Sequence, residues 1–380
     1  MDIRVPQPSL LEGLLAVQRA VDHSGNVPQL GGVLIKTLEN GLYLEGSDSH
    51  LFIRRHIDAE IDSPGAIVLP ARYFVELVKR IPPENLRLSD SDNLICTLKW
   101  NSGQCEIHGY SAEGFLSIDE CPSEGISIPA KALRKLIRET TFSAAKEESR
   151  PIFGGMLLLV EEGRMRAVCT DGVRLTVSEA RSKPASSDAD MASTQRSAAP
   201  ARTEFNAIIP VRTLLELLRL TGDADQVNVA LDEKGVYFTW NRTWVFSRLL
   251  SGRFPEYERV IPKQFKTSFR VDRNAFRSAC DKASLMTKGV TNPILLEISE
   301  DSVTVRSNTP GVGEVVEVLE AIVEGEPLNV AFNARFLIEG LDVIEESTVF
   351  FGISGIEAPS VLKPAHSDDF LYVVLPLKIG

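Results

Sequence analysis

Four basic residues around position 135 have the spacing of a single helix face. Lys131, Arg134, Lys135 and Arg138 stand at i, i+3, i+4 and i+7, and apolar residues between them fall on the opposite face. Lysine and arginine side chains on such a face can bind phosphate groups without any sequence preference. A single basic face is usually only solvated, so its meaning depends on whether the pattern recurs elsewhere.

The basic pattern does recur on other predicted helices. If these helices are equivalent members of a repeat, they lie on a common surface, and their basic faces combine into one positive surface. A polyanion is the natural ligand, and duplex DNA fits, because no aromatic residues are interleaved for stacking on single-stranded bases. The residues that we expect to face DNA are Arg72, Lys79, Arg134, Arg138, Arg212, Arg219, Arg273 and Arg277. The last predicted helix differs, since Glu339 and Asp342 accompany Arg335 there.

Residues 170–175 read TDGVRL and contain an Asp-Gly pair, which is typical of a hairpin turn. An enzyme could use Asp171 as a general base, but no histidine or second carboxylate stands nearby at a suitable spacing. The chain also lacks the P-loop, GxSxG and GxGxxG motifs. Its histidines and cysteines are scattered without metal-ligand spacing. We therefore expect a protein that is not an enzyme, with no catalytic residues, no metal and no cofactor.

The helices that carry these residues belong to a block of about ten residues that occurs three times. The copies begin at Pro70, Pro210 and Asn333, and in each an arginine is followed four positions later by a glutamate. A short apolar run precedes every copy, so the unit is a strand followed by an amphipathic helix. A second helix recurs earlier in each repeat, after residues 5–6, 128–129 and 271–272. The block spacing of 140 and 123 residues is that of domains, not of a solenoid.

Strand-like runs separated by turn residues lie between the two helices of each repeat. We therefore predict an α+β fold of three similar domains, each built from two copies of a half that combines a helix with antiparallel strands. The predicted domains are residues 1–122, 123–263 and 264–380. Residues 181–202 are rich in Ser, Ala and Pro, and we interpret them as a mobile surface loop within the middle domain.

Composition limits the classes of protein that the chain can represent. With 380 residues, of which 43% are hydrophobic and 24% charged, it can bury ordinary cores. A formal net charge of −11 argues against a non-specific nucleic-acid coat, so the positive charge must be concentrated on the helices. No apolar run is long enough for a membrane span and no secretory signal opens the chain. Five cysteines without a C-x-x-C pair fit free thiols, and we expect a cytoplasmic location.

Several motifs, in this order along the chain, resemble those of the β subunit of bacterial DNA polymerase III, the sliding clamp. They are VLPAR at residues 68–72, TDG with RL at residues 170–175, GRFP opening residues 252–262, and VVLP at residues 373–376. The resemblance covers the whole chain. It implies a head-to-tail homodimeric ring of six similar domains, with helices lining a hole that encloses duplex DNA. It also implies a non-catalytic processivity factor that tethers the replicative polymerase during DNA replication.

The resemblance further implies a hydrophobic groove between the second and third domains, where polymerase, clamp-loader and repair proteins dock short linear peptides. Carried over by position, the groove residues are Arg150, Phe153, Thr170, Gly172, Val173, Arg174, Leu175, Pro255, Arg259, Val260, Val373, Val374, Leu375, Pro376 and Leu377. Arg174 and Arg259 would frame the pocket and bind the peptide. The ring interface would join the first domain of one chain to the third domain of the other, through Tyr110, Leu285 and Met286.

Some positions depart from the family pattern. Val173 stands where some members have histidine, which would leave the pocket drier, and the 181–202 loop is longer than expected. The chain could therefore be a second, divergent clamp that serves DNA repair or accessory polymerases. A scaffold whose basic faces are merely solvated, and an enzyme centred on Asp171, are the alternatives outside the clamp class.

Overall fold

The structure is a computed structural model that describes residues 1–22, 24–25, 27–91, 93–118, 121–122, 125–146, 150–161, 163–181, 204–287, 289 and 291–378. Apart from Arg181, the loop predicted at residues 181–202 lies outside the described residues. Chain contacts define two compact units. Unit 1 comprises the described residues of 1–130 and 212–249, and unit 2 those of 131–181, 204–211 and 250–378.

Each of the predicted recurring helices is present. They are α1 (Gln7–Val17), α2 (Ala71–Arg80), α3 (Ala130–Thr140), α4 (Val211–Leu220), α5 (Arg273–Ser284) and α6 (Ala334–Asp342). Local chemistry explains where they begin: Pro6 and Pro8 introduce α1, while the Asp272 and Asn333 side chains accept backbone N–H bonds that cap α5 and α6. Short 3-10 helices occupy Gln18–Ala20, Pro28–Gly31, Thr141–Ser143, Pro151–Gly154 and Tyr257–Val260.

The strands follow the same repeated order along the chain. Those of the first predicted domain are β1 (Asp2–Pro6), β2 (Gly32–Leu38), β3 (Gly41–Ser47), β4 (Leu51–Ile57), β5 (Glu60–Ser63), β6 (Ala66–Pro70), β7 (Asn85–Asp90), β8 (Ile95–Trp100), β9 (Gly103–His108) and β10 (Tyr110–Ser111). Those of the second are β11 (Ile126–Pro129), β12 (Gly155–Glu161), β13 (Arg164–Thr170), β14 (Arg174–Arg181), β15 (Phe205–Pro210), β16 (Gln226–Leu231), β17 (Val236–Trp240) and β18 (Thr243–Ser247). Those of the third are β19 (Thr267–Asp272), β20 (Pro293–Ile298), β21 (Ser302–Thr309), β22 (Gly313–Glu320), β23 (Ile322–Gly325), β24 (Leu328–Asn333), β25 (Thr348–Ile353), β26 (Ser360–Pro364) and β27 (Phe370–Val374).

Unit 1 contains two antiparallel sheets. A five-stranded sheet has the order β5-β1-β7-β8-β9, and a nine-stranded sheet has the order β10-β6-β2-β3-β4-β18-β17-β16-β11. The nine-stranded sheet crosses from the first predicted domain to the second where β4 pairs with β18, with Phe52 opposite Phe246. Helices α1 and α2 pack against each other, and they bury Leu10, Leu14 and Phe74 completely.

Unit 2 repeats this plan. Its nine-stranded sheet has the order β15-β12-β13-β14-β27-β26-β25-β19-β23, and its four-stranded sheet has the order β22-β21-β20-β24. Helices α5 and α6 pack against each other over a core of phenylalanine rings. The Phe351 ring lies at the centre, 5.3 Å from the Phe332 centroid and 5.5 Å from that of Phe269. Here the sheet passes from the second predicted domain to the third where β14 pairs with β27.

Candidate functional site

The 170–175 segment forms the turn between β13 and β14, as its Asp-Gly pair predicts. The Asp171 carboxylate accepts backbone N–H bonds from Val173 at 2.9 Å and from Arg174 at 3.0 Å. The Thr170 hydroxyl accepts from the Gly172 N–H at 3.0 Å and donates to the Arg174 carbonyl at 2.7 Å. Gly172 has φ of 90°, a left-handed conformation that favours glycine. The polar side chains of this turn are therefore used to fix its shape.

The guanidinium of Arg174 lies beneath this turn. Arg174 is only 5% exposed. Its Nε donates to the second Asp171 oxygen at 3.0 Å, its Nη2 donates to the Phe142 carbonyl at 2.7 Å, and its Nη1 pairs with Glu339 on α6. The Phe336 ring covers the guanidinium, with its centroid 4.3 Å away. A buried cation in this position is satisfied on every side by the protein itself.

The charges in this cluster support one another. Burial lowers the pKa of Arg174, but Tyr372 and Glu339 raise that pKa, and the net shift is upward. Burial likewise raises the pKa of Glu339, but Arg174 and Arg335 lower it, and the net shift is downward. The ion pair therefore persists at neutral pH. The expectation that Arg174 frames the pocket and binds the peptide stays a prediction. Within the chain, its donors are occupied by the turn, by Phe142 and by α6.

The C-terminal tail runs beside the turn. Val373 and Val374, in β27, pair with β14 and are buried in the sheet. Immediately beyond the strand, the Leu375 N–H donates to the Val173 carbonyl at 3.2 Å, and the Leu377 N–H donates to the Ala331 carbonyl of β24 at 2.8 Å. The half-buried segment 375–377, with Pro376 at its middle, thus crosses from the nine-stranded to the four-stranded sheet of unit 2.

The connector at residues 252–262 packs on the same sheet. Phe254 and Tyr257 are buried in one apolar cluster with Leu175 and Val373. The Arg166 guanidinium on β13 donates to the Tyr257 hydroxyl at 3.4 Å and helps to hold the connector in place. The turn, the connector and the tail are therefore close together in unit 2.

The expected groove residues of the connector, Pro255, Arg259 and Val260, are all exposed. Val260 is 51% exposed and Val173, on the turn, is 45% exposed, so both present apolar surface to solvent. The Arg259 side chain is 81% exposed, and its Nε lies 2.7 Å from the Glu256 carboxylate. Unlike Arg174, Arg259 is free to meet a ligand at the surface. A cleft of 580 Å³ that sequence analysis missed adjoins Pro255 and Arg259.

A fourth segment completes the surroundings of the turn. Arg150 precedes the Pro151–Gly154 helix, and its guanidinium lies 5.8 Å from the centre of the Phe153 ring. A Cβ atom added to Gly172 would lie 3.3 Å from Arg150 Nη1 and 3.7 Å from the Phe153 ring. The structure therefore brings the four segments that carry the expected groove residues to one region of unit 2, with Leu175 and Val373 buried beneath them. The Val374 side chain instead packs into the core beneath α5 and α6, on the opposite face of the sheet. The part of the expected groove residues in peptide binding stays a prediction.

Most of the basic residues on the unit 1 helices have carboxylate partners. Lys79 Nζ lies 3.9 Å from Glu76, and Arg219 lies 2.6 Å from Glu216. Arg212 pairs with Asp48. Arg72 is exposed beside the Tyr73 ring, and no carboxylate within the described ranges pairs with it. The positive face of these helices is consequently weaker than the sequence alone indicates.

The unit 2 helices show the same compensation. Arg277, on α5, lies 2.7 Å from Asp342 on α6 and 3.5 Å from Asp281. Arg273 is half-buried, and so is Arg134, which has a partner within the protein. Arg138 is exposed, and in the described part of the chain it has no ion pair.

The expected ring-interface residues lie on the surface of each unit. Tyr110, in β10 of unit 1, is 36% exposed. Leu285 follows α5 in unit 2 and is 77% exposed, while Met286 is half-buried beside Gly313. Nearby, β22 forms the edge of the four-stranded sheet.

Across the described ranges, no group of three or more His, Cys, Asp or Glu side chains is arranged to coordinate a metal ion. The helices described there include none with the length and apolar character of a membrane span.

Comparison with known proteins identifies the family. The model of the DNA polymerase III beta subunit N-terminal domain matches residues 1–119, that of the central domain matches residues 127–256, and that of the C-terminal domain matches residues 258–378. The chain belongs to the DNA polymerase III beta subunit family. The predicted family and the α+β fold of three clamp domains are confirmed.

Individual relatives match the chain over its full length. The beta sliding clamp of Bacillus subtilis (strain 168) is 28% identical over 391 residues, and each sequence covers 100% of the other. The crystal structure of the Bacillus subtilis DNA polymerase sliding clamp has 27% identity and a TM-score of 0.93. That of the Pseudomonas aeruginosa DNA polymerase III subunit beta has 27% identity and a TM-score of 0.90, and both structures cover 100% of each chain.

The contrast between Arg174 and Arg259 gives a stability prediction. Arg174→Ala removes a buried cation and deprives two half-buried carboxylates, Asp171 and Glu339, of the partner that they share, so we expect a loss of about 3 kcal/mol in the free energy of unfolding. Arg259→Ala removes an exposed side chain and should change that free energy by less than about 0.5 kcal/mol. Urea unfolding of the two variants and the parent measures the difference. Equal stability of both variants would contradict the structural role of Arg174.

Proposed function

We propose that this chain is the sliding clamp of DNA polymerase III, a non-catalytic processivity factor of DNA replication. The observation that carries the proposal is the succession of three beta subunit domains along almost the whole chain. A clamp works by keeping the polymerase near its template, which raises the local concentration of the enzyme without any chemistry. The alternative of a second clamp for repair or accessory polymerases has no specific support, since the similar curated relatives carry the name beta sliding clamp.

The proposed assembly is a head-to-tail homodimeric ring, with domains at residues 1–122, 123–263 and 264–380 in each subunit. Tyr110 of one subunit would meet Leu285 and Met286 of the other. The exposed Leu285 supports this, because it offers an apolar side chain that an interface could bury. The β22 edge supports it as well, since Val316 and Val318 are exposed on a strand with unpaired backbone groups.

The proposed ligand of the ring is duplex DNA, bound without sequence preference. Arg72 and Arg138 are the strongest candidates for phosphate contacts, because both are exposed without an ion pair among the described residues. The other six helix residues would contact phosphates only in competition with the carboxylates that already surround most of them. Such a weak, compensated surface suits a protein that must slide along DNA. Acting on a bacterial chromosome, the clamp would be a cytoplasmic protein.

The proposed partner site is the groove formed by the 170–175 turn, the connector and the tail. A polymerase or clamp-loader subunit would insert a short peptide with aliphatic or aromatic side chains against Val173, Val260 and Leu375. The apolar surface of the first two residues supports this proposal, since both are about half exposed. Arg259 would bind an acidic residue of the peptide in competition with Glu256.

Assembly can be tested by truncating the expected interface. The double variant Leu285→Ala, Met286→Ala should sediment as a monomer at micromolar concentration. Each truncation removes a side chain worth about 2–5 kcal/mol if the interface buries it completely. Ile356→Ala, which truncates another exposed apolar side chain of unit 2, 59% exposed, is the control and should remain dimeric. A double variant that dimerises as tightly as the parent would place the interface elsewhere.

DNA encirclement can be tested with charge reversals and DNA topology. Arg134→Glu with Arg138→Glu should reduce retention on circular duplex DNA after loading, because two attractive charges become repulsive. Arg164→Glu with Arg181→Glu also reverses two charges, at exposed positions of the β13–β14 hairpin, and should leave retention unchanged. Cutting the circle should release the parent protein. Equal retention on linear and circular DNA would rule out the ring mechanism.

The groove can be tested by placing a charge in it. Val173→Asp or Val260→Asp should weaken the binding of a labelled replicative-polymerase peptide by at least about tenfold, because the peptide would bury an unpaired carboxylate. Leu38→Asp, at a position that is 40% exposed in unit 1, is the matched control and should bind the peptide normally. Fluorescence anisotropy measures all three affinities. Undiminished binding by both groove variants would show that the peptide binds elsewhere.

A further inference from the structure

We infer that Glu339, on α6, is a positioning residue for the peptide groove. It contributes no surface to the groove, and it acts through Arg174 and Asp171 on the turn that carries Val173. The inference rests on the groove put forward under the proposed function.

The Arg174 guanidinium forms hydrogen bonds with three separate parts of the fold. Its Nε binds Asp171 of its own turn, and its Nη2 binds the Phe142 carbonyl in the helix that follows α3. Its Nη1 binds Glu339, which is the only carboxylate outside the turn in contact with Arg174 among the described residues. Without Glu339, the guanidinium loses its ion pair with α6, and its remaining hydrogen bonds run to its own turn and to Phe142.

Asp171 links the Arg174 guanidinium to the exposed part of the turn. One Asp171 carboxylate oxygen accepts a hydrogen bond from Arg174 Nε, and the other accepts from the backbone N–H groups of Val173 and Arg174. The Val173 carbonyl in turn accepts the Leu375 N–H at 3.2 Å. A shift of the guanidinium therefore moves Asp171, and Asp171 controls both the exposed Val173 and the position of the tail.

Glu339 is itself held in position by another residue of α6. Its other oxygen accepts from Arg335 Nε at 2.7 Å, one turn earlier on α6. The helix is capped by Asn333, and Phe336 on the same helix covers the guanidinium. A single helix thus supplies Arg174 with both a carboxylate and an aromatic face. Since Arg174 is almost completely buried, the charge of Glu339 acts on it with little screening by water.

The competing explanation is that Glu339 only stabilises α6 and the core beneath it. The two roles differ in where the damage appears. Loss of a positioning contact loosens the 170–175 turn while α6 stays protected from hydrogen exchange. Loss of a merely structural contact loosens α6, and it would be matched by loss of the neighbouring Arg335 contact.

The experiment uses the full-length protein and the labelled replicative-polymerase peptide. Glu339→Gln keeps the size of the side chain and removes its charge, and it should weaken peptide binding by about tenfold. Arg335→Gln is the matched control, since it removes the other partner of Glu339 and leaves Arg174 paired; it should change affinity by less than about twofold. Hydrogen exchange should accelerate at residues 172–174 in Glu339→Gln and stay unchanged in α6. Combined with Asp171→Asn, Glu339→Gln should add less than its separate effect, because both act through Arg174.

Several results would overturn the inference. Parent-like peptide affinity in Glu339→Gln would do so, as would an equal loss of affinity in Arg335→Gln. If the parent itself fails to bind the peptide, the proposed groove is wrong, but the exchange measurement still decides the role of Glu339. Unchanged exchange at residues 172–174 in Glu339→Gln would overturn the inference whatever the peptide does.

Discussion

Strand β27 lies in the middle of a nine-stranded sheet, between β14 and β26, although it is the last strand of the chain. Its pairing with β14 sets Val374 opposite Arg174 and Val373 opposite Leu175. Because of that register, the tail lies beside the 170–175 turn. The paired strands also form an apolar face on which Phe254 and Tyr257 of the connector pack. The groove therefore depends on one antiparallel pairing between strands about 200 residues apart, whose hydrogen bonds hold distant segments in fixed positions.

Neighbouring carboxylates balance much of the positive charge on the helices of this protein. The chain carries a net charge of −11, and most of its helix arginines and lysines have carboxylates beside them, as Arg277 has Asp342. A strongly uncompensated surface would hold DNA phosphates tightly and resist movement along the duplex. With Arg72 and Arg138 exposed among compensated neighbours, retention on DNA would come from encirclement, and the contacts would remain weak enough for sliding.

The repeated ten-residue block was sufficient to predict α2, α4 and α6, and the Asp-Gly pair was sufficient to predict the β13–β14 turn. Both signals are local, so neighbouring residues determine them. The sequence could not show that Arg174 is buried, because the exposure of an arginine depends on Glu339 and Phe336, which are more than 160 residues away. For the same reason it could not show that Arg212 is neutralised by Asp48. Long-range ion pairs have no periodicity from which they could be inferred.

In the TDGVRL segment, residue types that could act in catalysis stabilise the conformation of a turn. Asp171 could act as a base in an enzyme, but one of its oxygens binds the Arg174 guanidinium and the other binds two backbone N–H groups. Donors of the turn itself thus take three of the four lone pairs that a carboxylate offers, which fits a structural role for Asp171. The same bonds keep Val173 at the surface, where an apolar peptide can reach it. In the proposed groove, the polar residues of the turn fix its geometry, and the apolar Val173 would provide the contact with a peptide.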